Sequence, residues 1–177
     1  MGSGTYFNAV DALKAYGLDI DKDIKATYQS FGDSVEALQD GKIDAAFIVA
    51  GAPTTAVTSL SATKKVYLVG FDDEHIMKLI TESPYYSKNV IEKSVYGTDD
   101  DVTTVAVGAV VIANDDVSET DVYNFLYGIF ENLDEITAAH AKGAELNLGF
   151  AASYTAVPYH KGAVKYFGEK GIKVSGK

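Results

Sequence analysis

The sequence predicts an α/β protein in which a mostly parallel sheet is flanked by helices. Apolar runs of strand length alternate with segments of helical periodicity, which is the pattern of parallel βαβ units. The run 43–50 shows no polar alternation, as expected for a strand buried on both faces, and 104–113 is the most apolar run. The chain has 177 residues, 47% of them hydrophobic, so it is long enough to bury a core.

The first part of the chain alternates between predicted helices and strands. A helix is predicted over 5–16, where apolar residues recur at helical spacing. Residues 24–30 are predicted to form a strand. The next helix ends at Gly41, and Asp33 fits its N-cap, with Glu36 reaching back to complete a capping box.

The rest of the chain continues this alternation. A strand over 66–71 and a helix over 72–81 are predicted, followed by an irregular stretch over 83–101. Beyond the apolar run, Ser118 fits the N-cap of the longest helix, and a last helix is predicted over 162–170. The apolar stripe of the longest helix comprises Val122, Phe125, Ile129, Phe130, Leu133 and Ile136.

Charge and composition argue against several classes of function. The formal net charge is −10, which disfavours a nucleic-acid partner because phosphate backbones need a clustered cationic surface. All 15 cationic residues are lysines, so the chain offers no arginine clamp for a carboxylate. There is no cysteine and the 3 histidines are widely spaced, so neither a metal site nor a cofactor is predicted.

The turn Gly2-Ser3-Gly4-Thr5 is the most informative segment. Glycines allow a close backbone approach, and the start of a helix adds free N–H groups, so the turn suits an anion. Ser3 and Thr5 are candidate hydroxyl donors, and Gly4 and Thr5 are candidate amide donors. A flexible leader of linker composition is the alternative interpretation. The turn lacks the pattern of a hydrolase serine and the lysine of a Walker motif, so we expect no enzyme activity.

Gly51, Pro53 and Thr54 form a second candidate group, at another strand-to-helix turn. Gly51 permits a sharp bend, Pro53 suits the first turn of a helix, and Thr54 carries a further hydroxyl. Ligands of parallel sheets bind beyond the carboxyl ends of the strands, so this turn is expected to share a cleft with the turns at 2–5 and 30–34. An ordinary helix start is the alternative.

A series of motifs runs through the whole chain. They are Gly-Ser-Gly-Thr (2–5), the segment 30–47, Ala-Gly-Ala-Pro-Thr (50–54), Pro-Tyr-Tyr (84–86), and the segments 100–107, 126–135 and 156–171. In order and spacing, over essentially all 177 residues, the chain resembles the second part of TAXI-type solute receptors of tripartite (TRAP) transport systems.

The resemblance implies a periplasmic-binding-protein fold of the second type, with two α/β lobes. Residues 1–103 are then expected to be a ligand-binding middle lobe. Residues 104–177 are expected to return into the other lobe and to supply its C-terminal helices. The resemblance further implies that an N-terminal lobe is missing from this chain, and no signal peptide is expected within it.

The resemblance also implies a function. Such receptors capture a small organic anion, here expected to be glutamate, glutamine or a related carboxylate, and deliver it to a TRAP membrane permease. Ser3, Gly4 and Thr5 are then the expected carboxylate binders, with the turn at 51–54 nearby. The implied location is extracytoplasmic. Because a lobe is expected to be missing, self-association through exposed apolar surface is a further expectation.

Two other readings of the sequence stay open. A sensory or regulatory ligand-binding domain on the same fold would share the cleft and signal to an attached domain. An α/β enzyme, for instance a phosphate-handling transferase, would need a base or a metal ion near Ser3, and the scattered histidines do not supply one.

Overall fold

The computed structural model describes residues 2–176, which divide into two compact units. The first unit is Met1–Ala109 and the second is Val110–Lys177. The predicted domain boundary after residue 103 lies within a strand that ends at Val107. The assignment of the two regions as receptor lobes stays a prediction.

Five helices form most of the first unit's regular structure. They are α1 (Gly4–Ala15), α2 (Phe31–Gln39), α3 (Thr55–Ser61), α4 (Asp73–Glu82) and α5 (Lys93–Tyr96). The helices predicted over 5–16 and 72–81 are confirmed as α1 and α4, each displaced by one residue. Side-chain oxygens of Ser3 and Asp72 cap their N-termini, as these residue types commonly do.

Helix α2 begins one turn earlier than predicted. Its N-cap is Ser30, whose Oγ accepts a hydrogen bond from the N–H of Asp33 at 3.1 Å. The Asp33 carboxylate in turn accepts from the N–H of Ser30 at 3.3 Å. The predicted capping box of Asp33 with Glu36 is therefore wrong, because the same kind of reciprocal pair already forms one turn upstream.

The C-terminal end of α1 lies beside the N-terminal end of α4. The Tyr16 hydroxyl donates to Asp72 Oδ2 at 3.0 Å, and Lys78 Nζ donates to the backbone oxygen of Ala15 at 2.9 Å. The second bond satisfies one of the carbonyl groups that a helix end leaves free. These two helices share a small core with the two strands of this unit, which are described next. The core comprises Ala15, Leu79 and Tyr86, covered by Phe71, Ile80, Val105 and Val107.

An antiparallel ribbon completes the first unit. It consists of β1 (Tyr86–Ile91) and β2 (Val102–Val107), with Tyr86 opposite Val107. Both β1 and α5 lie in the stretch 83–101, so the prediction of an irregular stretch there is wrong. β1 carries little apolar periodicity, and its ladder with β2, rather than its own composition, defines it as a strand.

The predicted parallel sheet is not formed within the described residues, whose ladder is the antiparallel one of β1 and β2. The segments 24–30, 43–50 and 66–71 belong to no ladder there, so these strand predictions are wrong. Phe47 is 42% exposed, which also contradicts two-sided burial of 43–50. Apolar composition favours a strand, but a strand also needs a neighbour that accepts and donates its backbone hydrogen bonds.

The predicted strand 104–113 is only partly formed. β2 ends at Val107, and the residues that follow lie outside the ladder. Val111 and Ile112 are 77% and 82% exposed, so the second half of the most apolar run is open to solvent. The run crosses from the first unit into the second after Ala109, and its residues are exposed from Gly108 onward.

The second unit is helical. Its elements are α6 (Glu119–Phe130), α7 (Leu133–Ala139), a 3-10 helix (Ala141–Glu145), α8 (Leu148–Ala151) and α9 (Lys161–Glu169). The helix predicted over 162–170 is confirmed as α9, displaced by one residue. Ser118 is confirmed as the N-cap of α6, where its Oγ accepts from the N–H of Asp121 at 3.0 Å.

Helices α6 and α9 pack closely because Gly162 has no side chain. A Cβ placed there would lie 2.9 Å from the backbone nitrogen of Tyr123 and would overlap the backbone oxygen of Glu119. Tyr166 and Phe167, 0% and 2% exposed, form the centre of this core. Near the chain end, Tyr159 and Gly176 form an isolated parallel bridge.

The predicted longest helix is interrupted. α6 ends at Phe130 and α7 starts at Leu133, although the apolar stripe continues across the break. The amide of Asn132 donates to the backbone oxygen of Gly128 at 2.7 Å. A side-chain amide that competes with backbone N–H groups for a helical carbonyl favours the end of the helix. Apolar periodicity carries no information about such a bond, so the predicted helix ran through the break.

Candidate ligand-binding site

The first candidate group lies at the N-terminus of α1. Ser3 and Gly4 are exposed and Thr5 is half-buried. Ser3 Oγ accepts from the N–H of Tyr6 at 3.2 Å, which leaves the hydroxyl hydrogen of Ser3 as a donor. Gly4 and Thr5 are the first helical residues, so their N–H groups have no acceptor within the helix. Two amides and two hydroxyls are thus suited to an anion here.

The second candidate group leads into α3. The Ala52–Pro53 bond is cis, and Pro53 precedes the helix, so its predicted place in the first helical turn is wrong. Thr54 is the N-cap residue, yet its side chain makes no capping hydrogen bond. Instead, the N–H of Thr54 donates to the Tyr96 hydroxyl at 2.9 Å. This bond leaves the phenolic hydrogen of Tyr96 as a donor beside Thr54.

The third turn, at the start of α2, is less suited to an anion. The Asp33 carboxylate accepts from both the hydroxyl and the N–H of Ser30, at 2.7 and 3.3 Å. This carboxylate holds the hydroxyl that would otherwise donate to a ligand. Its negative charge also opposes a second anion at the same helix end.

The structure connects these turns only indirectly. The rings of Tyr6 in α1 and Tyr28, which precedes α2, lie 5.9 Å apart, and α2 packs against α3. Among the described residues, no hydrogen bond joins the group at 3–5 to the group at 51–54. The convergence of Ser3, Gly4 and Thr5 with the second group on one cleft therefore stays a prediction.

A partly buried polar network lies further along α1, and the sequence pattern did not predict it. Asn8 Nδ2 donates to the Tyr86 hydroxyl at 2.7 Å, and that hydroxyl donates to Asp11 Oδ2 at 2.9 Å. The Tyr85 hydroxyl donates to the same Asp11 oxygen at 3.1 Å. Burial raises the pKa of the Tyr86 phenol. The available signal was the three-residue spacing of Asn8 and Asp11, which places both on one helix face.

Two cavities of about 420 and 260 Å³ lie in the second unit, and neither is lined by a predicted ligand-binding residue. The larger is lined by Phe130, Glu131, Asn132, Leu133, Asp134 and Glu135. Its three carboxylates would repel an organic anion. We therefore favour the donor-rich helix start over the larger cavity as the anion site, because complementary charge decides between them.

The described residues also constrain metal binding. Within residues 2–176, no group of three or more histidine, aspartate or glutamate side chains is arranged to hold a metal ion. Over the same residues, no helix combines the length and apolarity needed to cross a membrane.

A comparison with protein families defines the class of this protein. The match extends over residues 1–171 and identifies a solute-binding protein of the periplasmic type. The chain belongs to the NMT1-like family, which includes receptors of the TAXI and TRAP kinds. Members of this family are binding proteins rather than enzymes and are typically extracytoplasmic. The predicted receptor class is confirmed at this level, and the TAXI subtype stays a prediction.

Proposed function

We propose that this protein is an extracytoplasmic receptor that captures a small organic anion for a TRAP-type membrane permease. The observation that carries the proposal is the exposed start of α1, where amides and hydroxyls are concentrated without an adjacent acidic side chain in the first turn. Membership in a solute-binding family supports the same conclusion.

The proposed recognition chemistry uses neutral donors. The amides of Gly4 and Thr5 hold one carboxylate of the ligand, and the hydroxyls of Ser3 and Thr5 complete its hydrogen bonds. The positive end of the α1 dipole favours the negative charge. Gly51, Pro53 and Thr54 are proposed to supply a second wall, where the Thr54 hydroxyl donates to the other end of the ligand. Glutamate, glutamine and related carboxylates carry acceptors at both ends and fit this pattern.

The proposal includes the fold and the partners that the family resemblance implies. We propose a periplasmic-binding-protein fold of the second type for the protein. The permease of a TRAP system is the proposed membrane partner. Self-association through the exposed apolar segment 110–113 is also proposed, on the exposure of Val111 and Ile112.

The test is calorimetric titration of the full chain with L-glutamate, L-glutamine and succinate. Ser3→Ala and Thr5→Val each remove one hydroxyl donor, and each is expected to weaken binding about tenfold, as loss of a hydrogen bond to a charged group does. Ser118→Ala is the matched control, because Ser118 caps α6 as Ser3 caps α1. It carries the same stability cost and is expected to leave binding unchanged.

Two results would contradict the proposal. If none of the three ligands binds the wild-type chain, the ligand class is wrong. If a ligand binds and Ser3→Ala weakens it no more than Ser118→Ala does, the site is wrong. Isothermal titration reports both results directly.

A further inference from the structure

The hydroxyl of Tyr86 makes two hydrogen bonds, both with side chains of α1. It accepts from Asn8 Nδ2 at 2.7 Å and donates to Asp11 Oδ2 at 2.9 Å. The phenol oxygen accepts one hydrogen bond and its single hydrogen donates the other, so one buried hydroxyl binds two side chains of the same helix. Tyr86 itself is 5% exposed, so water does not compete freely for these bonds.

The two partners of Tyr86 share a helix face with the proposed anion site. Asn8 follows Gly4 by four residues and Asp11 follows it by seven, and residues at these spacings lie above one another on an α-helix. The bonds to Asn8 and Asp11 therefore fix the rotation of α1 about its axis. They fix with it the positions of Ser3 and Thr5 at the helix start.

Tyr86 is held in turn by rigid surroundings. Its ring packs in the core with Ala15 and Leu79. As the first residue of β1, it lies opposite Val107, the last residue of β2. Packing in the core and pairing in the ladder therefore both hold Tyr86 in place. Its hydroxyl, bonded to Asn8 and Asp11, in turn holds the first half of α1 in place.

We propose that Tyr86 is a positioning residue for ligand binding, which acts through Asn8 and Asp11 to set the helix start at Ser3, Gly4 and Thr5. The inference rests on the proposed function, because it assumes that the ligand binds at this helix start. Tyr86 is buried and touches no ligand in this scheme. Its effect on affinity comes from holding donors in the geometry that the ligand needs.

The first experiment measures affinity. Tyr86→Phe removes the hydroxyl and keeps the ring, and it is expected to weaken L-glutamate binding about threefold to tenfold. Tyr67→Phe is the matched control: Tyr67 is 75% exposed in the same unit, and the same chemical change there is expected to leave affinity unaltered. Circular dichroism at the titration temperature verifies that both variants are folded.

A double-mutant cycle separates positioning from general destabilisation. If Tyr86 acts through the helix start, Tyr86→Phe costs less affinity in a Ser3→Ala background than in the wild type, because one of the positioned donors is already gone. Equal losses in both backgrounds would overturn the inference. They would show that Tyr86 acts independently of Ser3.

A second measurement needs no ligand. In ¹H–¹⁵N spectra, Tyr86→Phe and Asn8→Ala are both expected to shift the amide resonances of Gly4 and Thr5, whereas Tyr67→Phe is not. Unshifted Gly4 and Thr5 resonances in both variants would overturn the inference even if the chain binds L-glutamate through Ser3. If the resonances shift and Ser3→Ala has no effect on binding, the proposed site fails while the positioning of α1 by Tyr86 stands.

Discussion

The rings of Tyr16 and His75 lie face to face, with centroids 3.7 Å apart and planes inclined by 8°. Asp72 binds both of them: its Oδ2 accepts from the Tyr16 hydroxyl at 3.0 Å, and both of its oxygens lie 2.8 Å from His75 Nδ1. Tyr16 is the C-cap of α1 and Asp72 the N-cap of α4. The cluster therefore fastens the end of one helix to the start of the next.

The Asp72 carboxylate is expected to make this junction sensitive to acid. Hydrogen bonds from the backbone N–H and the ring of His75 lower the pKa of Asp72 to about 2. Because the folded pKa is below the ordinary value of about 4, the stabilisation is present above that value and is lost as the pH falls toward 2. The measurement is the thermal unfolding midpoint as a function of pH.

Asp72→Asn tests this dependence, since asparagine is also a good N-cap but does not ionise. Between about pH 4 and about pH 2, the thermal unfolding midpoint of the variant is expected to fall less than that of the wild type. Asp73→Asn is the control, because Asp73 is exposed and pairs with Lys88 outside the cluster. An acid response identical in wild type and Asp72→Asn would contradict the assignment to Asp72.

Gly162 is expected to be intolerant of any side chain. Gly162→Ala places a Cβ against the backbone oxygen of Glu119 and 2.9 Å from the nitrogen of Tyr123, so α6 and α9 must separate. We expect the free energy of unfolding to fall by about 1–3 kcal/mol, the usual cost of overpacking. Urea denaturation measures the loss.

Gly168→Ala, on the same helix, is expected to have the opposite effect on stability. A Cβ at Gly168 would have no neighbouring atom within 4 Å. Alanine is a better helix former than glycine, so we expect stability to rise by up to about 0.5–1 kcal/mol. A loss of stability in Gly168→Ala comparable to that in Gly162→Ala would show that close packing does not explain the intolerance.

The exposed segment 110–113 is expected to drive self-association. It is uncharged, three of its four residues are β-branched, and it lies outside the described ladder, with Val111 and Ile112 77% and 82% exposed. Such segments pair readily with another strand. Sedimentation velocity over a concentration series is expected to show a reversible dimer of the wild-type chain.

Val111→Lys combined with Ile112→Lys should abolish that dimer by introducing charge into the segment. Asn114→Lys is the control, since it adds a lysine at an exposed polar position without removing an apolar side chain. A wild-type chain that is monomeric at every concentration would refute the prediction. So would a dimer that the paired lysines leave intact.

Helices were more predictable than strands in this chain, and the reason is physical. The cap Ser118 and the last helix at 161–169 depend on nearby sequence, because helical hydrogen bonds join residues four apart. The strand predicted over 43–50 depended on distant partners that apolar composition does not specify. β1 was missed for the converse reason, since β2 provides its ladder.

The candidate site divides in a similar way. Ser3, Gly4 and Thr5 could be proposed from the sequence because a Gly-Ser-Gly-Thr turn that opens a helix offers amide and hydroxyl donors, and their role in binding stays a prediction. The contact of Thr54 with Tyr96 spans 42 residues and had no local signal. The same is true of Asn8 and Tyr86, which are 78 residues apart.

The sequence alone therefore determined the approximate positions of α1, α4 and α9, the donor groups at the start of α1 and the resemblance to a receptor class. These features depend on short-range hydrogen bonding and on residue order. Only the tertiary structure decided that Tyr86 joins Asn8 to Asp11, that Tyr16 stacks on His75, and that Val111 and Ile112 are exposed. Burial and long-range contacts arise only when distant segments pack together, and no local pattern encodes which segments will meet.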